Sequence, residues 1–298
     1  MRFVLIENSK IANMRISLMM LLLVPGMLLG ESTELAQARN FYRHTDYPAA
    51  IHLLSNIPVK DAPVNELLGQ CYFASGYYKK ATAYFESAAA AEPRNSVYQL
   101  WLGRVYGRRA ENSFPVNAMS WANRSRSALE KAVELDVNDW EAVDDLFDFY
   151  LQAPGLVGGG VERAEKLTPI IARRDPAEAA YDQARIAEAR KQYDTAEQYL
   201  KRAAELAPRQ PSRYVALARF CARHDRFEES DRYFRQAEEV APGAPRVYFA
   251  EASTYIKTNR NVDTAKVLLK KYLSASNLTP DDPPKSEAEK LLRKVSGS

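Results

Sequence analysis

Small and apolar residues recur at helical spacing along most of the chain, in pairs of short amphipathic segments. In LLGQCYFASGYYKKATAYFESAAAAEP, residues 67–93, Ala81, Phe85 and Ala88 follow one another at steps of four and three residues. This spacing places them on one face of a helix. Gly76 precedes that helix, and a residue without Cβ can adopt the left-handed conformation that ends a helix. The stretch therefore predicts two antiparallel helices joined by a tight turn.

The same arrangement of small, aromatic and proline positions recurs along the chain. Ala184 and Ala218 are 34 residues apart, as are Pro208 and Pro242. The positions that carry the repeat are Gly69, Tyr72, Ala81, Phe85, Ala88, Pro93, Gly103, Ala184, Ala196, Ala203, Pro208, Ala218, Phe234, Ala237 and Pro242. Small residues let paired helices approach closely, and proline stops the second helix. A period of about 34 residues is typical of helix–turn–helix repeats, which bury their apolar faces by stacking.

These spacings resemble those of the tetratricopeptide repeat (TPR) family. The resemblance is strongest at residues 62–95 and 177–244 and extends over about 32–276. It implies an all-α fold, a right-handed superhelical solenoid of about seven helix hairpins followed by a C-terminal capping helix. No segment of any length shows the alternation typical of strands.

The solenoid is predicted to span residues 31–276, with a linker and a capping helix at 277–298. It departs from the regular repeat at two inserts, residues 107–124 and 152–160. Both are expected to lengthen the connection between the paired helices of a hairpin. The second insert contains APGLVGGG, which lacks the Lys and Ser or Thr of a phosphate-binding loop. We interpret it as an interhelical turn, with a close-contact surface for a ligand as the alternative.

The N-terminus has a different character from the repeats. An apolar run at residues 16–30 follows Lys10 and Arg15 and is shorter than a comfortable membrane span. It predicts a signal peptide at residues 1–30 and an exported, periplasmic or secreted protein. An uncleaved N-terminal membrane anchor is the alternative, and Met14 is an alternative start.

Composition and charge exclude several function classes. The formal net charge is +3, and the charges nearly balance without residues 1–30, so nucleic-acid binding is not expected. Cys71 and Cys221 lie in distant repeats and are predicted to be buried and unpaired. The three histidines lack partners at metal-ligand spacing, so we expect no metal and no cofactor. No catalytic constellation is present, and the protein is predicted not to be an enzyme.

The resemblance also implies where a partner binds, because the first helices of TPR hairpins line a concave groove. Arginine follows the small position in three of five hairpins. The predicted partner-binding residues are Arg104, Arg108, Tyr181, Arg185, Arg219, Arg223 and Phe249. Guanidinium groups bind carboxylates in a planar fork, which favours an acidic or extended partner segment. The alternative is that these arginines pair with carboxylates of the chain such as Glu178, Glu188 or Glu251.

Two functions remain open from the sequence. The first is a non-catalytic protein–protein interaction scaffold or adaptor of the cell envelope, which binds a partner segment in the concave groove. The second is an accessory or carrier subunit that binds a small ligand near the two inserts, beside Trp101, Trp121 and Trp140.

Overall fold

The computed structural model describes residues 32–297, and Thr33–Ser298 form a compact unit of their own. The predicted signal peptide or anchor and the alternative start at Met14 lie outside the described residues. Within residues 32–297 every regular element is a helix. No helix of this part is both long and apolar enough to cross a membrane.

Seven helix hairpins follow one another and a final helix closes the array, which confirms the predicted all-α solenoid. The hairpin helices are α1 Thr33–Arg43, α2 Tyr47–Ser55, α3 Ala62–Ala74, α4 Tyr78–Ala91, α5 Ser96–Glu111, α6 Pro115–Leu135, α7 Trp140–Gln152, α8 Val161–Glu165, α9 Thr168–Arg174, α10 Pro176–Ala189, α11 Tyr193–Leu206, α12 Pro211–Arg223, α13 Phe227–Val240, α14 Pro245–Lys257 and α15 Val262–Ser274. The last helix is α16, Lys285–Ser296.

The paired helices meet at the small positions of the repeat. A Cβ on Gly69 would lie 2.6 Å from a ring carbon of Phe85, so α3 and α4 can approach this closely only without a side chain there. A Cβ on Gly103 of α5 would likewise lie 2.5 Å from a methyl carbon of Leu129 on α6. Core clusters join hairpins to their neighbours, as a stacked repeat array requires, and one cluster joins the last hairpin to α16.

The turns between paired helices share one backbone motif in every hairpin of the described residues except the third and fourth. The N–H of Tyr77 donates to the carbonyl of Tyr72 over 2.8 Å, and Gly76 between them has a φ of +79°. This is the Schellman arrangement, which satisfies carbonyls at a helix C-terminus. The same conformation recurs at residues without glycine, namely Thr45, Lys191, Asp225 and Asn259.

Hairpins three and four differ from the regular repeat. The added residues of 107–124 extend both helices, so α5 has 16 residues and α6 has 21. The connection between them is short, which corrects the expectation of a longer one, because extra helical turns satisfy their own backbone groups. In hairpin four the second helix is divided into α8 and α9, and a short 3-10 turn, Gly155–Val157, precedes it.

Candidate functional site

The first helices of the early hairpins line a cavity of about 1200 Å³, which we call the central cavity. Helices α3 and α5 contribute side chains from one side, and Phe249 of α14 and the segment after α15 contribute from the other. Its wall is mixed in character. The main aromatic and charged residues on it are Tyr42, Tyr47, Glu66, Phe73, Tyr78, Trp101, Arg104, Arg108, Glu141, Phe249, Asp281, Asp282, Glu287, Lys290 and Arg293.

Arg104 lies on the wall of the central cavity but does not carry an isolated charge. Its guanidinium forms ion pairs with Glu141 at 2.9 Å and Asp145 at 2.5 Å, both on α7, and lies over the Trp101 ring at 4.9 Å. Burial opposes the charge of Arg104, but the two carboxylates keep its pKa above the usual value. The pairing ties α5 to α7 and neutralises the positive charge that the sequence suggested for this position.

Arg185 is paired in the same way, in a small cavity of about 220 Å³ beside α7 and α10. Its guanidinium contacts Asp148 at 2.5 Å and Asp182 at 3.2 Å, and Tyr181 lines the same cavity. Burial and neighbouring carboxylates raise the pKa of Asp182 to about 8 and that of Asp144 to about 6. The surroundings of Arg185 are therefore rich in carboxyl groups.

The remaining predicted arginines are Arg108, Arg219 and Arg223. Arg223 pairs with Glu188 at 2.8 Å, one of the carboxylates that the sequence proposed as an alternative partner. Arg219 has no carboxylate partner among the described residues, and burial together with the charge of Arg223 lowers its pKa. Arg108 lines the central cavity and pairs with Glu111 at 2.5 Å.

The seven predicted partner-binding residues thus divide by location. Arg104, Arg108 and Phe249 share the central cavity, whereas Tyr181 and Arg185 lie in the smaller cavity beside it. Among the described residues, four of the five predicted arginines form ion pairs with carboxylates of the chain: Arg104, Arg108, Arg185 and Arg223. Their role in binding a partner stays a prediction.

The segment 277–284, together with α16, takes part in the site, and the sequence did not indicate this. Asp282 pairs with Arg246 of α14 at 2.6 Å and accepts the N–H of Thr279 at 2.7 Å. Tyr272 of α15 donates to the carbonyl of Pro283. Burial raises the pKa of Asp282, but these donors outweigh it and hold the pKa below its usual value.

These contacts hold the segment 277–284 in place, so that Asp281 and its neighbours lie opposite the first hairpins. Pro283 and Pro284 line a cavity of about 230 Å³ together with Thr45 and Tyr47 of the first hairpin. The last part of the chain therefore faces the first part across the concave side. The central cavity is therefore lined by residues from the first hairpins and by residues from the last part of the chain.

The two inserts share a second cavity, of about 960 Å³. Gly107 and Ala122 line it from hairpin three, and Pro154 and Val157 line it from the glycine-rich turn. Trp101 also lines this cavity. The other two tryptophans pack against arginines: the guanidinium of Arg174 lies 4.9 Å from the centre of the Trp140 ring, and that of Arg109 lies 3.5 Å from the centre of the Trp121 ring. The three tryptophans do not share one pocket.

Gly158 and Gly159 of the turn at 153–160 are required by packing. A Cβ on Gly158, whose φ is +86°, would overlap the guanidinium of Arg126. A Cβ on Gly159 would lie 1.8 Å from the carbonyl oxygen of Ala153. The turn packs against α6, as expected for an interhelical connection.

Comparisons with known proteins agree with this architecture. The family model described as tetratricopeptide repeat matches residues 62–95 and 177–210. No curated protein matches the sequence significantly.

Among solved structures, a tetratricopeptide repeat protein from Parabacteroides merdae is 14% identical, with a TM-score of 0.58 over 89% of this chain and 98% of that chain. The APC/C hetero-tetramer Cut9–Hcn1 is 13% identical, with a TM-score of 0.51 over 88% of this chain and 48% of that chain. At such identities these structures show the fold alone. The repeat pattern, the family match and the fold agree: the chain contains tetratricopeptide repeats at residues 62–95 and 177–210 within an all-α solenoid.

Proposed function

We propose that the protein is a non-catalytic interaction scaffold that binds a segment of a protein partner in the central cavity. The observation that carries this proposal is the cavity itself, about 1200 Å³ in volume and lined by first-helix side chains. Phe73 and Trp101 offer apolar and aromatic surface there, and Arg104 and Glu141 offer paired charges. Such a wall suits an extended peptide that buries apolar side chains and hydrogen bonds to charged groups.

The charge pattern refines the class of partner. Since Arg104 already contacts the carboxylates of Glu141 and Asp145, and Arg185 that of Asp148, an acidic partner would have to compete with the chain's own Asp and Glu residues. We propose an extended segment of mixed polarity. The proposed setting is the cell envelope, which rests on the apolar run at residues 16–30 of the sequence.

Site-specific photocrosslinking tests the proposal. Val97 lines the central cavity and is partly exposed, whereas Val267 on α15 is exposed and lies on none of these cavities. A benzophenone amino acid is placed at either position, and adducts are collected from cells that make the protein. A partner adduct at position 97 that is absent at 267 and is weakened by Arg104→Gln supports the proposal. Equal adducts at both positions, or adducts at 267 alone, contradict it.

A small-ligand carrier is the second candidate, favoured by the second cavity that both inserts line. Trp101 reports on this cavity, since its indole lies on the wall. Trp101 also lines the central cavity, so a compound supports this function only if it quenches the wild-type protein but not Trp101→Phe and also loses affinity with Gln152→Ala, whose side chain lines the second cavity alone. A compound that quenches both proteins equally does not bind there.

A further inference from the structure

The first turns of α6 project from the repeat array without a covering element. Phe114 is 84% exposed and Val116 is 88% exposed, and Met119 one turn later is also exposed. Among the described residues nothing packs over these side chains. Apolar side chains of this size, grouped and open to solvent, mark an interaction surface.

The neighbouring turn between α3 and α4 extends this surface. Tyr77 at its tip is 59% exposed, and a cavity of about 510 Å³ between the two turns is lined by Tyr77, Lys79, Lys80 and Ser113 among others. Ser113 directly precedes Phe114. Tyr77, Phe114, Val116 and Met119 thus form one side of the array, which we call the apolar edge.

The residues around the apolar edge are strongly basic. Segments 76–80 and 106–124 hold five basic residues and one acidic residue, although the whole chain has a net charge of only +3. The basic residues are Lys79, Lys80, Arg108, Arg109 and Arg124.

Few carboxylates balance these charges. Glu111 pairs with Arg108, and Glu86 of α4 lies 3.7 Å from Arg124. Lys79 and Lys80 have no carboxylate partner within residues 32–297. The rim of the apolar edge therefore keeps an excess of positive charge at its surface.

We propose that the apolar edge docks on a membrane surface that contains anionic lipids. Projecting Phe, Val and Met side chains enter the boundary between headgroups and acyl chains, and the surrounding Lys and Arg residues attract the lipid phosphates. The excess of positive charge at the rim complements the phosphates of an anionic membrane surface. Arg108 also lines the central cavity, so the test relies on Lys79 and Lys80, which do not line it.

The test uses a local probe in the full chain. Cys71 and Cys221 are buried, so a cysteine introduced by Val116→Cys can be labelled with an environment-sensitive fluorophore. Val59→Cys gives a matched control, because Val59 is also a highly exposed valine but lies outside the apolar edge. The vesicles contain either phosphatidylcholine alone or phosphatidylcholine and phosphatidylglycerol in equal parts.

We expect a blue shift and increased emission at position 116 with the anionic vesicles, and neither change at position 59. Phe114→Ser or the pair Lys79→Glu and Lys80→Glu should each lower the apparent affinity for anionic vesicles about tenfold. These side chains are exposed, so the helix content in circular dichroism should not change.

Three results would overturn the proposal. The probe at 116 could remain in water with both vesicle types, or the probes at 116 and 59 could respond equally. In the third, position 116 responds only to a soluble protein, and the edge is then a protein interface.

Discussion

Asp182 offers a sharp test of the electrostatics beside the central cavity. Its side chain on α10 is almost fully buried, with Glu178 and Asp144 nearby and Arg185 at 3.2 Å. Burial raises its pKa from the usual 3.8 to about 8. An acid with a raised pKa binds a proton in the folded state that the unfolded state has released. Between these two values the stability therefore falls as pH rises.

The magnitude follows from that single proton. One extra proton in the folded state changes the free energy of unfolding by about 1.4 kcal/mol per pH unit. Between about pH 5 and about pH 7 the wild type should therefore lose up to about 3 kcal/mol through this group. Asp182→Asn copies the protonated side chain and keeps an oxygen that can accept from Arg185, so this loss should disappear in the variant.

Urea unfolding of both proteins at the two pH values measures the effect. We expect Asp182→Asn to gain stability over the wild type as pH rises. Asp194→Asn serves as the control, because Asp194 is an exposed carboxylate of α11 and should leave the pH dependence unchanged. If the difference between wild type and Asp182→Asn is the same at both pH values, the buried carboxyl group is charged and the reasoning is wrong.

Three further predictions concern the fold. Gly69→Ala should lower the free energy of unfolding in urea by about 1–3 kcal/mol, because the new Cβ would overlap Phe85. Gly155→Ala is the control, since its Cβ meets open space and the stability should hardly change; equal losses of stability would refute the close approach of α3 and α4. Arg246→Ala removes the ion pair with Asp282 and should weaken the attachment of the segment 277–284 by about 1 kcal/mol, which would speed amide exchange in this segment about fivefold. Unchanged exchange would show that the hydrogen bond from Tyr272 to Pro283 is sufficient to hold the segment in place. Asp175→Ala should lower the free energy of unfolding by about 1 kcal/mol, because the Asp175 carboxylate accepts hydrogen bonds from two backbone N–H groups at the start of α10. An unchanged thermal unfolding midpoint would contradict this role of Asp175 as the N-cap of α10.

The sequence predicts the hairpins well because their determinants are local. The spacing of Gly69, Ala81 and Phe85 follows from how two adjacent helices pack, and the structure brings Gly69 and Phe85 together. The turn conformation at Lys191 and Asp225 was not predictable by residue type, since neither is a glycine. Their separation of 34 residues, which equals one repeat, was the feature of the sequence that could have indicated the same turn at both positions.

The site was less predictable because it depends on contacts between repeats. Arg223 and Glu188 are 35 positions apart, and Arg104 and Asp145 are 41 apart, so opposite charges separated by about one repeat were a signal for pairing. No pattern in the sequence indicated that Pro283, near the end of the chain, lies close to Tyr47 of the first hairpin. This proximity depends on the pitch of the superhelix summed over seven hairpins, and small deviations in each hairpin determine whether the two ends meet.

The meeting of these ends has a consequence for how the chain folds during synthesis. Most contacts of a repeat array join neighbours and can form as soon as each hairpin leaves the ribosome. Tyr47 and Pro283, in contrast, line one cavity although they are 236 positions apart in the sequence. Closing so long a loop is the slowest kind of contact for a chain to make. The nascent protein therefore passes through a stage in which its first hairpins are stacked while the segment 277–284 has not yet reached the first hairpin.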